Sequence, residues 1–346
     1  MAKPAFCSDY MEGAHPSILA KLQEINFQKI GGYGLDPICA AAKEKIRAAC
    51  EAPGADVHFL IGGTQTNATV IDALLHSYQG VIAAESGHIA CHEAGAIEFG
   101  GHKVLAVPAE NGKLTAAAIE AVLTRYDLDE TREHTVMPGM VYISQPTEYG
   151  TLYSLEELTA ISQLCRARNI ALYADGARLA YGLGSPENTV SLPDMARLCD
   201  VFYIGGTKCG ALFGEAVVVP DPARLPHFFT IIKQHGALLA KGWLLGVQFD
   251  ALFTDGLYEK LGKEAVRQAL RIQAALKEKG VPLWFETPTN QVFCVVEDIE
   301  VPRFDAITEN GYWGRTDNTH TILRFATSWA TTQEEVDELI RLLDRL

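Results

Sequence analysis

The amino-acid sequence predicts an α/β protein: a large unit on a mostly parallel sheet with helices on both faces, followed by a small C-terminal α+β unit. Three observations carry this expectation. From about residue 55 to residue 220, short apolar runs alternate with segments that bear helix signals. After about residue 220 the pattern becomes a long helical region, then two strand-like runs and a last amphipathic helix. The chain has 346 residues, 48% of them hydrophobic, enough to bury one large core and a smaller second one.

The elements follow in order. The runs "VHFL", "VIAAES", "KVLAVPA", "MVYISQP", "ALYADGA" and "VFYIGG" read as strands, and a further apolar run, "GEAVVVP", follows the last of them. Two of the intervening helices open with capping-box spacing, Ser154 with Glu157 and Ser191 with Asp194. Such alternation implies a parallel sheet whose strand ends are free for chemistry. Past residue 220, "DPARLPHFF" through "LRIQAALKEKG" reads as helical. Then "NQVFCVVE" and "TILRFATSW" read as strands, and "TTQEEVDELIRLLDRL" as a helix capped at Thr331 or Thr332. The boundary between the two units falls near residue 255, giving a large domain over 31–255 and a small one over 256–346.

Composition excludes some functions. A formal net charge of -14 opposes general binding of nucleic acid, whose phosphates are gripped by clustered Lys and Arg. No stretch holds the roughly 18 uninterrupted apolar residues of a membrane helix, and the start lacks a basic segment followed by an apolar one, so a cytoplasmic protein is expected. The eight cysteines are dispersed and never occur as C-x-x-C, the pattern of reduced, buried thiols.

Three stretches carry candidate chemistry. In "LIGGTQTNATVIDALLHSY", Gly62, Gly63 and Thr64 precede an apolar helix, where free N–H groups and the helix dipole suit a phosphate; an ordinary N-cap after a glycine turn is the plain alternative. In "NIALYADGARLAYG", a strand delivers Asp175 and Arg178 to the sheet edge where such folds bind ligands, although an Asp capping the next helix is common. In "DVFYIGGTKCGALFGEAVVVP", Lys208 follows the next strand end, and a surface lysine in a loop is its plain alternative. Together a lysine, a carboxylate and a phosphate cradle are the parts of a pyridoxal 5′-phosphate site: Lys208 for a Schiff base, Asp175 to keep the pyridine nitrogen protonated, the helix N-terminus for the phosphate. Neither G-x-x-x-x-G-K-[ST] nor a strand-linked G-x-G-x-x-G occurs, which weakens nucleotide and dinucleotide readings. His88 and His92 in "HIACHE" have a metal-ligand spacing but lack an obvious third ligand, so no metal is expected and His92 reads as structural.

The motifs "GGTQTNA", "AESGHIACHEAGA", "SQPTEYGTLYS", "YADGARL", "GGTKCGALFGEAVV", "KQHGALLAKGWLLGVQF" and "LRFATSWATTQEEVDELI" stand in one order across nearly the whole chain. In that order and spacing the sequence resembles the threonine aldolase / β-eliminating lyase family, of the aspartate aminotransferase fold (fold type I, pyridoxal phosphate-dependent). The resemblance implies that Lys208 is the cofactor lysine and Asp175 the partner of the pyridine nitrogen. Arg178 would contact the cofactor O3′ or the substrate carboxylate. Gly63 and Thr64 would bind the phosphate, with Ser8 near the same pocket. His88 would stack on the cofactor ring and move protons, and Arg324 would grip the substrate α-carboxylate. Tyr33, Lys233 and Lys241 match interface or neighbouring-subunit positions, and residues 1–30 would form an N-terminal segment that contributes to the site or an interface. Where many relatives carry an "ENTH"-like motif this chain reads "SQPTEYGT", which offers Glu148 or Gln145 for part of the missing histidine's role.

The implied activity is cleavage of a β-hydroxy-α-amino acid, such as L-threonine or L-allo-threonine, to glycine and an aldehyde by a homodimer or homotetramer. Other pyridoxal phosphate reactions, β-elimination or aminotransfer, are the near alternatives. A non-catalytic ligand-binding protein of the same fold is the distant one, and it needs none of Lys208, Asp175 and Arg324.

Overall fold

The computed structural model describes residues 3–345; residues 1, 2 and 346, the outermost of the expected first and last segments, lie outside it. Seven strands, β1 (Asp56–Leu60), β2 (Gln79–Ala84), β3 (Val104–Val107), β4 (Met137–Ser144), β5 (Ala171–Asp175), β6 (Val201–Gly205) and β7 (Glu215–Val219), form the large sheet. Their order is β1-β7-β6-β5-β4-β2-β3. The ladder from β3 through β2, β4 and β5 to β6 is parallel, and β7 runs antiparallel to both β6 and β1. The sheet is therefore mostly parallel with one reversed strand, and the start of β7 lies at the same edge as the ends of the others.

Both faces of this sheet are covered, which explains the near-continuous apolar runs in β6 and β7, buried at every position. Alternate residues feed two different cores. Phe59, Val141, Leu172, Phe202 and Val218 pack into one, whereas Leu60, Tyr142, Tyr173, Tyr203 and Val217 pack into the other with Val70 and Ile71 of the helix Gly63–Leu74. By the same alternation Ser144 shares a face with Tyr142, and Asp175 with Tyr173. The register pairs Tyr142 with Tyr173 and Ser144 with Asp175.

A second, four-stranded antiparallel sheet holds β8 (Leu283–Phe285), β9 (Gln291–Glu297), β10 (Gly311–Arg315) and β11 (His320–Ala326) in the order β10-β11-β9-β8. It packs with the helices Leu257–Glu278 and Gln333–Leu343 around a third core. The last helix is capped by Thr332, whose hydroxyl accepts the Glu335 N–H. Both capping boxes expected from sequence form, at Ser154 and Ser191. The expected long helical region after residue 220 is instead a short 3-10 turn and three helices, Phe228–Gln234, Trp243–Leu252 and Leu257–Glu278. Gly236 and Gly256, at φ of 65° and 67°, stand in two of the breaks, a conformation glycine adopts without steric cost.

Candidate functional site

Because β1, β4, β5 and β6 end at one edge and β7 begins there, the loops that leave them converge. They enclose a cavity of about 250 Å³ lined by Gly62, Gly63, Thr64, His88, Glu148, Asp175, Arg178, Lys208 and Glu215, with Tyr10 from the N-terminal segment. A wider groove of about 680 Å³ opens beside it, sharing Tyr10, His88, Glu148, Arg178 and Lys208 and reaching Trp313 and Arg324 of the small sheet.

Asp175 is only 4% exposed. One of its oxygens accepts from the Tyr203 hydroxyl at 2.5 Å and the Ala177 N–H at 2.9 Å, the other from the Tyr142 hydroxyl at 2.7 Å and the Asn67 amide at 3.0 Å. Burial works to raise its pKa, but the His88 imidazole and these donors outweigh burial and hold it below the usual carboxylate value. Lys208 experiences the reverse. Burial and the Arg178 charge push its pKa down, against the pull of Asp9, Asp175 and Glu215.

Arg178 is held by Asp9, with Nε 2.6 Å from one carboxylate oxygen and Nη2 3.0 Å from the other, which leaves Nη1 outside the pair. Asp9 also accepts from the Asn290 amide at 2.9 Å. Burial tends to raise the Asp9 pKa, yet Arg178 and Lys208 bring it down to about 2. Arg324 has no such partner. Its Nη2 donates to the Cys7 carbonyl at 2.8 Å and its Nη1 to Gln291 Oε1 at 3.2 Å, its Nε is buried with no acceptor, and its guanidinium lies 5.1 Å from the Trp313 ring centre. Among the described residues no carboxylate forms an ion pair with Arg324. Burial and the Arg178 charge lower its pKa, against the pull of Asp9, whose carboxylate is bonded to Arg178 instead.

His88 opens the short helix His88–Cys91 that follows β2. Its Nδ1 lies 2.7 Å from Glu93 Oε1, and its backbone N–H donates to Glu148 Oε1 at 3.0 Å. The same Glu148 oxygen accepts from the Ser144 hydroxyl at 2.6 Å, and burial, assisted by Asp175, drives the Glu148 pKa up. Gln145 does not reach the cavity, because both ends of its amide are engaged by the Tyr153 backbone at 2.9 and 3.2 Å. Of the two residues weighed against the missing histidine, only Glu148 lines the site.

Gly62 stands as N-cap of the helix Gly63–Leu74 with no side-chain cap hydrogen bond, so the first-turn N–H groups are not closed off by the chain itself. A Cβ on Gly63 would approach the Tyr203 hydroxyl to 3.2 Å, whereas one on Gly62 would meet nothing within 4 Å. Ser8 does not line the cavity and its buried hydroxyl has no partner; its neighbours Asp9 and Tyr10 reach the site instead. Tyr33, Lys233 and Lys241 lie away from it. The Lys233 ammonium sits 4.8 Å from the Tyr33 ring centre, and both lysines are exposed.

Sequence reasoning passed over Asp9, Asn67, Glu93, Tyr142, Tyr203 and Glu215. The tyrosines were legible only as strand residues, since their common face follows from the inter-strand register. Asp9 directly follows Ser8 and Glu93 sits inside "AESGHIACHEAGA", and only tertiary contact gives them partners.

The profile of the beta-eliminating lyase family matches residues 6–300. A low specificity L-threonine aldolase of Pseudomonas sp. (strain NCIMB 10558) is 32% identical, over 96% of this chain and 95% of its own. The structure of a Leishmania major threonine aldolase superimposes with a TM-score of 0.95 at 42% identity, covering 99% of this chain and 98% of that one. An aspartate aminotransferase of Thermus thermophilus, at 14% identity and a TM-score of 0.74 over 99% of this chain and 91% of its own, shares the fold alone. A lysine and an ionised aspartate on one sheet edge, in a chain matched end to end by such relatives, leave one assignment: the chain belongs to the beta-eliminating lyase family.

Proposed function

We propose that this protein cleaves a β-hydroxy-α-amino acid, L-threonine or L-allo-threonine among them, to glycine and an aldehyde, using pyridoxal 5′-phosphate. The observation that carries the reading is Arg324, which no carboxylate among the described residues pairs directly, beside a cavity that already holds Lys208 and Asp175. A partly buried guanidinium with no directly paired carboxylate among the described residues suits one from outside, and its planar fork matches an α-carboxylate.

The donor set fits the cofactor. Asp175, kept ionised by four hydrogen bonds, suits a protonated pyridine nitrogen. Lys208, its pKa lowered by burial, suits the free amine that captures an aldehyde. The uncapped helix start at Gly62, Gly63 and Thr64 suits a phosphate. When bound, the cofactor supplies an electron sink for the pair released as the Cα–Cβ bond breaks. The chain does the rest: Arg324 fixes the carboxylate and so decides which Cα bond faces the sink. His88, at the junction of cavity and groove, is placed to accept the proton of the β-hydroxyl. Glu148 orders His88 through its backbone N–H. The exposed Tyr33, Lys233 and Lys241, away from this cavity, support a role at an interface between copies of the chain.

The test is to supply the cofactor-loaded protein with L-threonine and L-allo-threonine and assay aldehyde and glycine together with 2-oxo acid and ammonia. Acetaldehyde with equimolar glycine is the expected result. A 2-oxo acid with ammonia, or an exchanged amino group, would move the protein to β-elimination or aminotransfer.

A further inference from the structure

We propose that Glu93 is a positioning residue for His88: it fixes the ring by taking the hydrogen on Nδ1, leaves Nε2 as the nitrogen that exchanges protons, and is itself locked to Asp175 by the Asn67 amide. This inference rests on the aldol-cleavage reading only in what Nε2 is used for.

Three contacts carry it. Glu93, 5% exposed, presents Oε1 to His88 Nδ1 at 2.7 Å. The same oxygen accepts from Asn67 Nδ2 at 2.7 Å, and that NH₂ group also donates to Asp175 Oδ2 at 3.0 Å. The Tyr173 hydroxyl donates to Asn67 Oδ1 at 2.8 Å, which settles the amide's orientation, since both carboxylates then face its hydrogens. Oε1 therefore faces both the Asn67 amide and the His88 Nδ1, while Oε2 is buried with no partner among the described residues. A carboxylate that only accepts requires hydrogen on Nδ1, and the neutral imidazole then carries its free lone pair on Nε2.

Other groups face the ring. His92 lies 5.7 Å away, ring centre to ring centre, Lys208 and Asp175 act through their charges, and Glu148 holds the backbone N–H. Burial and Lys208 work against a charged imidazole, while the Glu93 hydrogen bond and the charges of Asp175 and Glu93 work for it; the favourable set wins and raises the His88 pKa. Glu93 therefore makes His88 a stronger base than a buried histidine would otherwise be.

The experiment compares the holoprotein with its Glu93→Gln and Glu93→Asp variants. The His88 ring resonance is titrated by NMR, assigned by its loss in His88→Asn, and kcat and KM are measured against pH. Glu93→Gln should move the His88 titration and the acid limb of kcat to lower pH and cut kcat about 10- to 100-fold, leaving KM and cofactor affinity within about threefold. Glu93→Asp should recover part of the loss. A titration and acid limb unmoved in Glu93→Gln would overturn the proposal, as would a loss confined to KM or cofactor binding. If the wild type releases no aldehyde, the aldol reading fails, and the NMR titration still decides the role of Glu93.

Discussion

Asp175 and Glu215 are two buried carboxyls at one edge of one sheet, and their surroundings drive them in opposite directions. Asp175 has four donors and the His88 ring against the effect of burial. Among the described residues Glu215 accepts only from the Thr207 hydroxyl at 2.8 Å and the Gly206 N–H at 3.1 Å, and burial lifts its pKa to about 8 despite the Lys208 charge. A native pKa raised from 4.5 means that the folded state binds this proton more tightly. The resulting stability is full below about pH 4.5, drains away as pH rises, and is gone above about 8. Glu215→Gln, neutral throughout, should therefore melt higher than the wild type at pH 9, by roughly 1 to 2 °C per kcal/mol regained, with no such advantage near pH 4.5; an equal difference at both pH values would contradict this. Arg324→Ala should raise KM for the amino acid roughly 10- to 100-fold with a smaller change in kcat, and an unchanged KM would mean that the carboxylate is held elsewhere. Lys208 and Asp175 were legible as charged residues at the ends of apolar runs, whereas His88 and Arg324 were expected only from the family resemblance of the motifs around them. Glu215 was not, because it opens a strand and its place between Leu60 of β1 and Gly205 of β6 comes from pairing across the sheet.

At the scale of elements, the position of Arg178 depends on a contact between two helices. Leu179–Leu183, of which Arg178 is the N-cap, packs on Leu257–Glu278 so closely that a Cβ on Gly262 would stand 2.0 Å from the Ala180 carbonyl oxygen. Backbone against backbone leaves no flexible side chain to yield. Gly262→Ala should cost about 3 kcal/mol in urea unfolding and weaken substrate binding by displacing Arg178; a variant of unchanged stability would show that the two helices part without cost. Nothing in "YEKLGKEAV" announces this contact, since a glycine inside a helix reads only as a weak helix former. The capping boxes at Ser154 and Ser191 were legible because they are local, a hydroxyl answering a carboxylate three residues on. Strands β8 and β10 escaped notice for a related reason. They are short and only partly buried, and their place comes from pairing with β9 and β11. Periodicity speaks for long runs with a buried face and says little about such edges.

Across the whole molecule, the N-terminal segment ties the two sheets together at the site. Phe6 donates its N–H to the Glu309 carbonyl at 2.6 Å and accepts from the Ala326 N–H at 2.8 Å, which fastens the segment to the end of β11. Three residues later Asp9 reaches Arg178, beside the large sheet, and Asn290, beside the small one. A single buried carboxylate thus joins both halves, and its charge offsets an arginine whose side chain is 11% exposed. Asp9→Asn keeps the shape and removes the charge, leaving the guanidinium buried alone. The expected loss at pH 7 is about 3 kcal/mol or more, the usual effect of breaking one side of a buried pair. The sign of its pH dependence follows from the lowered Asp9 pKa: the wild type's advantage is present above 3.8, the ordinary value, and is lost as pH falls through about 2. Urea unfolding of both proteins from pH 7 to pH 3 should therefore show a gap that stays constant to about pH 4 and narrows below it. A gap absent at pH 7 would mean that Arg178 finds another partner when Asp9 is neutral, and the N-terminal segment would then be a covering for the site and not a part of its charge balance.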